Sequence, residues 1–120
     1  MKRENLLQIV DELAREYEGA TRLEDGGKAL VKLPEVIFPK GCNPISTRAL
    51  VVLDEQQPAP QLLIEKVPTL ANGKTPRSVS ATAIAGDPWY SFSFNQRWDE
   101  NTNSAVQFVE GRLRRFAQNE

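Results

Sequence analysis

Two stretches of the chain carry apolar residues at the three- and four-residue spacing of an amphipathic helix. Near the start, Gly19 follows an apolar stripe made of Leu6, Ile9 or Val10, Leu13 and Tyr17. Near the end, Ser104 and Gln107 have the spacing of a capping box, and the stripe that goes with it consists of Val106, Val109, Leu113 and Phe116. The pattern therefore predicts one helix at each end of the chain.

Between these helices the pattern is typical of strands. The segments ATRLED and KALVKLPEVIF flank Gly26 and Gly27, which predicts a hairpin, and Pro34 predicts that its second strand is bent or lies at an edge. TRALVVLD is apolar on both faces, as in a central strand. QLLIEKV predicts a fourth strand that ends at Pro68. The strands are expected to form a four-stranded antiparallel meander.

Residues 68–103 have no persistent helical stripe, and they contain three prolines and the turn signal Asn72-Gly73. Two interpretations stay open: a long irregular crossing, of the kind that is often functional, or a further strand over SVSATAIA. The architecture predicted for the whole chain is α+β: an N-terminal helix, the four-stranded antiparallel meander, a long irregular crossing and a C-terminal helix, in a single domain over residues 1–120.

Composition narrows the chemistry. The 120 residues are 40% hydrophobic with a net charge of −1, which is typical of one soluble globular domain. Because the chain has no histidine and a single cysteine, Cys42, it holds neither a Ser-His-acid triad nor a thiolate or imidazole zinc site. We expect no metal or cofactor, and of the metal sites only one made of carboxylates alone stays open. The near-neutral charge argues against nucleic-acid binding, and the lack of a long apolar run argues against a membrane location, so a cytoplasmic protein is expected.

Several segments together resemble a known family. They are LPEVIFPKGCNPISTRALVVLDEQQPAPQLLIEKVPTLANGK, then GDPWYSFSFNQRW, then the closing helix. This succession is similar to the bacterial ubiquitin-conjugating-enzyme-like families, which show a P-G-N-P loop before a strand, a proline-containing turn, an N-G turn, and a W-x-x-x-S segment before a second tryptophan. The resemblance runs from about Leu33 onward. It implies a ubiquitin-conjugating fold without the catalytic cysteine.

The resemblance also locates a candidate site. In ubiquitin-conjugating enzymes a glycine precedes the catalytic cysteine and a tryptophan follows it, and Gly86 and Trp98 match these two positions. The place of the cysteine then falls near Trp89 or Tyr90, where no thiol stands. Cys42 is in a loop before the third predicted strand, and we treat it as non-catalytic. Trp98 is expected to pack under the site loop.

Ser91 and Ser93 are the nearest candidates for a replacement nucleophile. If WYSFSF is extended, alternation places both hydroxyls on the face that carries Trp89. Three interpretations stay open: a covalent site, a groove for a flexible peptide tail, and a solvated strand face. Asn72 resembles the asparagine that stabilises the oxyanion in conjugating enzymes, but its spacing to Trp89 departs from the family pattern, and a turn at Asn72-Gly73 is the preferred interpretation. The predicted substrate-binding residues are Trp89, Trp98 and Asn72.

By resemblance, the chain is a component of a bacterial ubiquitin-like modification pathway. It would accept or position an activated ubiquitin-like C-terminus, with or without a serine oxyester, for transfer to a target. The implied partners are an adenylating activating-enzyme homologue, a ubiquitin-like protein and a deconjugating metallopeptidase. Lys2, Arg3 and Arg15 would dock the activating enzyme. The alternative is a catalytically inert interaction module of the variant or RWD type, so the sequence leaves open whether the chain is an enzyme.

Overall fold

The computed structural model of the protein describes residues 2–25, 28–57, 59–76, 79–84, 86–92 and 104–117. In these ranges two helices and six strands follow one another: α1 (Arg3–Glu16), β1 (Thr21–Asp25), β2 (Lys28–Ile37), β3 (Ser46–Asp54), β4 (Gln61–Ile64), β5 (Val79–Ile84), β6 (Asp87–Phe92) and α2 (Ala105–Ala117). The strands form one antiparallel sheet in the order β1-β2-β3-β4-β6-β5. The predicted α+β class is confirmed.

The sheet is larger than the sequence pattern predicted. Strands β1 to β4 are antiparallel neighbours in chain order, and β3 is central as expected, but β6 and β5 extend the sheet beyond the four strands predicted. The long irregular crossing is wrong for residues 79–92, because β5 and β6 pair as a hairpin there. Gly86 takes a φ of 85° at the turn between them, a conformation that favours glycine. The strand interpretation of SVSATAIA is the correct one.

Pro34 interrupts the ladder between β2 and β3. Leu33 lies opposite Ala49 and Val36 opposite Thr47, so the register shifts between these two pairs. Proline has no N–H to donate to a ladder, and an irregularity is where a strand tolerates it. Among the described residues the ladder between β1 and β2 ends at Lys32, so at Pro34 strand β2 has a paired strand on the β3 side only, in agreement with the predicted edge position.

Both helices pack on the same face of the sheet, which we call the covered face. Alternate residues of β2, β3 and β4 point to it and form one core cluster with the apolar stripes of the helices. From the sheet the cluster takes Ala29, Val31, Leu33, Ala49, Val51, Leu53, Leu62 and Ile64, and from the helices it takes Leu6, Ile9, Val10, Leu13, Ala105, Phe108, Val109 and Leu113. The intervening residues of the strands point to the other face, which we call the open face.

The N-terminus of α2 is capped from two directions. Ser104 Oγ accepts a hydrogen bond from the Gln107 amide at 3.1 Å, and Gln107 Oε1 accepts one from the Ser104 amide at 3.4 Å, which is the predicted capping box. In addition, Glu12 Oε2 on α1 accepts a hydrogen bond from the Val106 amide at 2.9 Å. The carboxylate therefore joins the two helices at the positive end of the α2 dipole. Over the described residues, neither helix has the length and apolar content needed to cross a bilayer.

Candidate functional site on the open face

Trp89 is the centre of a small apolar cluster on the open face. The indole is only 3% exposed and packs with Leu30, Leu50 and Leu63, one residue from each of three neighbouring strands. Val52 and Ile84 are half-buried beside them. A single aromatic side chain thus covers, on this face, the strands that two helices cover on the other face.

The pairing of β6 with β4 determines which side chains reach this face. Tyr90 lies opposite Ile64, a covered-face residue, and packs against that core. Its neighbours Trp89 and Ser91 therefore point to the open face. Ser91 is half-buried and lies opposite Ser80 of β5. Ser93 and Trp98 lie outside the described residues, so of the predicted site residues the structure brings Trp89 and Ser91 together.

A cleft of about 370 Å³ lies beside the indole. Besides Trp89 it is lined by Lys32, Arg48, Glu65, Asp87, Pro88 and Tyr90. Trp89 also lines a second, smaller hollow with Leu23, Leu30, Lys32, Leu50, Ile84 and Asp87. The two hollows therefore share Trp89, Lys32 and Asp87. A volume of this order accommodates a short segment of an extended peptide.

The walls of the cleft carry both signs of charge. Arg48 Nη2 lies 2.6 Å from Glu65 Oε2, across the ladder that joins β3 to the end of β4. These two side chains are 56% and 27% exposed, so the ion pair faces water and contributes little to stability. Within the described ranges, Lys32 and Asp87 have no ion-pair partner. The cleft thus offers one ammonium group and one carboxylate to a ligand, next to an apolar wall.

Ser91 lacks the surroundings that activate a hydroxyl. A serine nucleophile needs an adjacent general base, and the chain contains no histidine. In the part of the chain that the structure describes, Ser91 has no hydrogen bond to an acidic side chain, and its cross-strand neighbour Ser80 is another hydroxyl. This arrangement suits binding better than nucleophilic attack. The described residues also contain no group of three acidic or cysteine side chains that could hold a metal ion.

Two other residues of interest, Asn72 and Cys42, do not line the cleft. Asn72 Oδ1 accepts a hydrogen bond from the Lys74 amide at 2.9 Å, and Gly73 follows with a φ of 83°. The carboxamide oxygen is thus engaged within its own turn, and no contact in the described structure joins Asn72 to the cleft. Cys42 is buried in the covered-face core, and this burial raises the pKa of its thiol. The thiol therefore stays protonated and unreactive at neutral pH.

The three cations predicted to dock an activating enzyme do not form one cluster. Lys2 and Arg3 are at the start of α1, where Arg3 Nη1 lies 3.7 Å from Glu55 Oε2. Arg15 is exposed in the last turn of the same helix. The helical rise separates Arg3 from Arg15 by about 18 Å. A partner that contacts all three has to lie along the length of α1.

Sequence reasoning missed three of the four charged residues of the cleft, although a signal was present. Lys32 follows Leu30 by two positions, Arg48 precedes Leu50 by two, and Glu65 follows Leu63 by two. Residues two apart in a strand share a face, so the apolar centre of the open face predicts its charged rim once the strands are assigned. Assigning Asp87 to the cleft requires knowledge of the register between β6 and β5, in which Asp87 lies opposite Ile84.

Comparisons of the chain with protein-family models, with curated proteins and with solved structures find no significant match. The function is therefore argued from the open face itself.

Proposed function

We propose that this protein is a ubiquitin-conjugating-like component, without a catalytic cysteine, of a bacterial ubiquitin-like modification pathway in the cytoplasm. In this proposal it holds the extended C-terminal segment of a ubiquitin-like protein in the open-face cleft. It receives that segment from an adenylating activating-enzyme homologue and positions it for transfer to a target. A deconjugating metallopeptidase would reverse the modification.

The observation that carries the proposal is the position of Trp89 on the open face. The indole is the wall of a cleft that also presents Lys32 and Asp87, and Ser91 follows two residues later on the same face. An extended peptide tail has apolar side chains, a polar backbone and a terminal carboxylate. The indole can contact the apolar side chains of the tail, and the Lys32 ammonium can pair with its terminal carboxylate.

The structure favours holding the tail without a covalent bond. An oxyester would form when Ser91 Oγ attacks the acyl adenylate, with AMP as the leaving group and the hydroxyl proton passing to a base. The described residues around Ser91 provide no such base, and the buried Cys42 offers no thiolate. Ser93, the second predicted nucleophile, is part of the same experimental test.

The test combines the chain with the activating homologue, ATP and the ubiquitin-like protein, and measures intact masses and binding. We expect the ubiquitin-like protein to bind and the mass of this chain to stay unchanged. Trp89→Leu and Lys32→Glu should each weaken binding by at least about tenfold, since each removes one wall of the cleft. The control Lys66→Glu makes the same charge change at an exposed position outside the cleft and should leave binding unchanged.

An oxyester mechanism would be shown by an adduct that survives reducing agent, is lost in hydroxide and disappears in Ser91→Ala or Ser93→Ala. Such a result would contradict noncovalent holding of the tail. Equal binding by the wild type and Trp89→Leu would contradict the cleft as the binding site. For the docking of the activating homologue, Arg3→Glu and Arg15→Glu should each reduce its affinity, because both ends of α1 are involved.

An inert interaction module is the second candidate, and the unactivated Ser91 and the protonated Cys42 favour it. The two candidates differ in the rate of target modification. If the chain positions the tail, adding it accelerates transfer to the target, and Trp89→Leu abolishes the acceleration. If the chain is inert, it captures the ubiquitin-like protein or the activating homologue in a pull-down but leaves the rate of transfer to the target unchanged.

A further inference from the structure

Among the described residues, strand β5 forms an edge of the sheet without the usual protection. It is the outermost strand of the order β1-β2-β3-β4-β6-β5, and Ser80, Ala81, Thr82 and Ala83 are exposed. Its sequence VSATAI contains no charge and no proline. Natural proteins usually place charges, prolines or bulges on an edge, because its free backbone groups pair with other strands. The opposite edge, β1, has Arg22 and Glu24 joined at 2.6 Å.

Pro88 shows which backbone groups of β5 are free. In the hairpin, Ala83 lies opposite Pro88. Since proline has no N–H, this pair cannot exchange two hydrogen bonds, and it is a non-hydrogen-bonded pair of the ladder. By alternation, Ala81 and Val79 are also in such pairs. The N–H and C=O groups of Val79, Ala81 and Ala83 therefore point away from β6, and among the described residues no strand pairs with them.

We propose that two copies of this chain pair through β5, antiparallel, about a two-fold axis at Ala81. In this register Ala81 lies opposite Ala81 of the second copy, and Val79 lies opposite Ala83. Each of these pairs exchanges two backbone hydrogen bonds, so all the outward groups of Val79, Ala81 and Ala83 are satisfied. An isologous contact of this kind closes after two copies and joins the two sheets into one.

The side chains of β5 suit a second copy. Ser80 and Thr82 share the open face, and the proposed register brings the Ser80 hydroxyl of each copy beside Thr82 of the other, a favourable cross-strand pair. At the proposed two-fold axis, the side chain of β5 is only the methyl group of Ala81, which is small enough to allow close pairing. The six residues of β5 carry no charge that would oppose pairing, and the net charge of −1 gives little repulsion between whole copies.

The size of the contact sets its strength. The strand contributes six residues from each copy, whereas a stable interface usually has about 20 to 30 residues a side. We therefore expect a weak, concentration-dependent dimer. Sedimentation equilibrium from about 10 μM to about 1 mM brackets the Kd expected of so small an interface.

A charge-swap experiment tests the axis. Ala81→Lys and Ala81→Glu each place like charges directly opposite one another, so each variant alone should be monomeric over the whole range. An equal mixture of the two should dimerise, because unlike charges then meet at the axis. A folding defect would not be reversed by mixing. The control Thr21→Lys adds the same charge to the other edge strand and should leave the wild-type dimer intact.

Amide hydrogen exchange locates the contact in the same samples. The Ala81 and Ala83 amides should be protected in the concentrated wild type and unprotected in Ala81→Lys, while the inward Ser80 and Thr82 amides stay protected in both. A wild type that is monomeric up to about 1 mM overturns the proposal, whether or not an unrelated peptide adds to this edge. A wild-type dimer that Ala81→Lys leaves intact overturns it as well.

Discussion

The two faces of the sheet are buried by different means, although they share the same strands. On β3, Val51 is covered by the helix layer, whereas its neighbour Leu50 is covered by Trp89 from the β5–β6 hairpin. The covered face has apolar contacts along three strands and two helices, whereas the open face has four fully buried residues and a charged rim. Most of the stability therefore resides on the covered face, whereas the open face carries the cleft proposed to bind a ligand.

The largest effect should come from truncation on the covered face. Leu33 is fully buried (0% exposed) in the core cluster, so Leu33→Ala should lower the free energy of unfolding by about 4 kcal/mol. Leu23 makes the matched open-face control, because it is 47% exposed on β1. Leu23→Ala should change the same quantity by less than about 0.5 kcal/mol. Urea unfolding followed by circular dichroism measures both, and equal losses would contradict the difference between the faces.

Trp89→Leu should have an intermediate effect on stability. The indole is almost fully buried, but its contacts are confined to the small open-face cluster, so we expect a loss of about 2 kcal/mol. Hydrogen exchange should show the loss first in the β5–β6 hairpin, since over the described ranges β6 is joined to β4 at one residue pair, Tyr90–Ile64. A uniform loss of protection over β2 and β3 would show that both faces contribute to one cooperative core.

Local sequence signals predicted the part of the fold that depends on local structure. The N-terminal amphipathic stripe, the capping box of Ser104 and Gln107, and the irregularity at Pro34 all arise from neighbouring residues, and each is present. The C-terminal stripe is correct in part: Val109 and Leu113 are buried in the core, whereas Val106 is half-buried and the core takes Ala105 and Phe108 instead. The side chain of Phe116 lies outside the described part of the chain. The sequence pattern does not decide for or against the β5–β6 hairpin, because VSATAI is rich in small residues whose alternation carries little hydrophobic contrast. Its small side chains gave no signal that distinguishes a strand from a loop.

The candidate site was predicted only in part, for a related reason. Trp89 and Ser91 could be assigned to one face from alternation alone. The cleft also depends on Lys32, Arg48 and Glu65, which come from three other points of the chain and meet because β2, β3 and β4 are paired in one register. Register between distant segments follows from packing of the whole sheet, and the sequence pattern alone did not reveal it.

The contact between the helices of the covered face gives a smaller effect. Glu12 Oε2 accepts a hydrogen bond from the Val106 amide at the N-terminus of α2, where a carboxylate is favoured by the helix dipole. Glu12→Gln removes the charge and keeps the size, so it should cost about 1 kcal/mol in unfolding free energy. Glu16→Gln is the control, because Glu16 is exposed at the end of α1. Equal costs would show that the cap contributes nothing specific.

The smallest effect at neutral pH concerns Tyr17, which packs half-buried against the covered-face core. Burial raises the pKa of its phenol above the ordinary value of 10.0, and Glu110, Glu16 and Glu12 raise it further. The folded protein therefore holds the phenolic proton more tightly than the unfolded chain does. The stabilisation is complete below pH 10.0 and is lost as the pH rises through the folded-state pKa.

Tyr17→Phe should accordingly match the wild type in the shape of its stability curve below about pH 9 and lose less stability than the wild type above about pH 10. Urea unfolding at a series of pH values measures the difference. Burial raises the pKa of the Cys42 thiol as well, above its ordinary value of 9.0, and adds a decline in the same direction. Because Cys42 is present in both proteins, its contribution cancels when the two curves are subtracted. A difference curve that stays flat through pH 10 would show that the phenol is as well solvated in the folded protein as in the unfolded chain, and that the covered face is open to water where α1 ends.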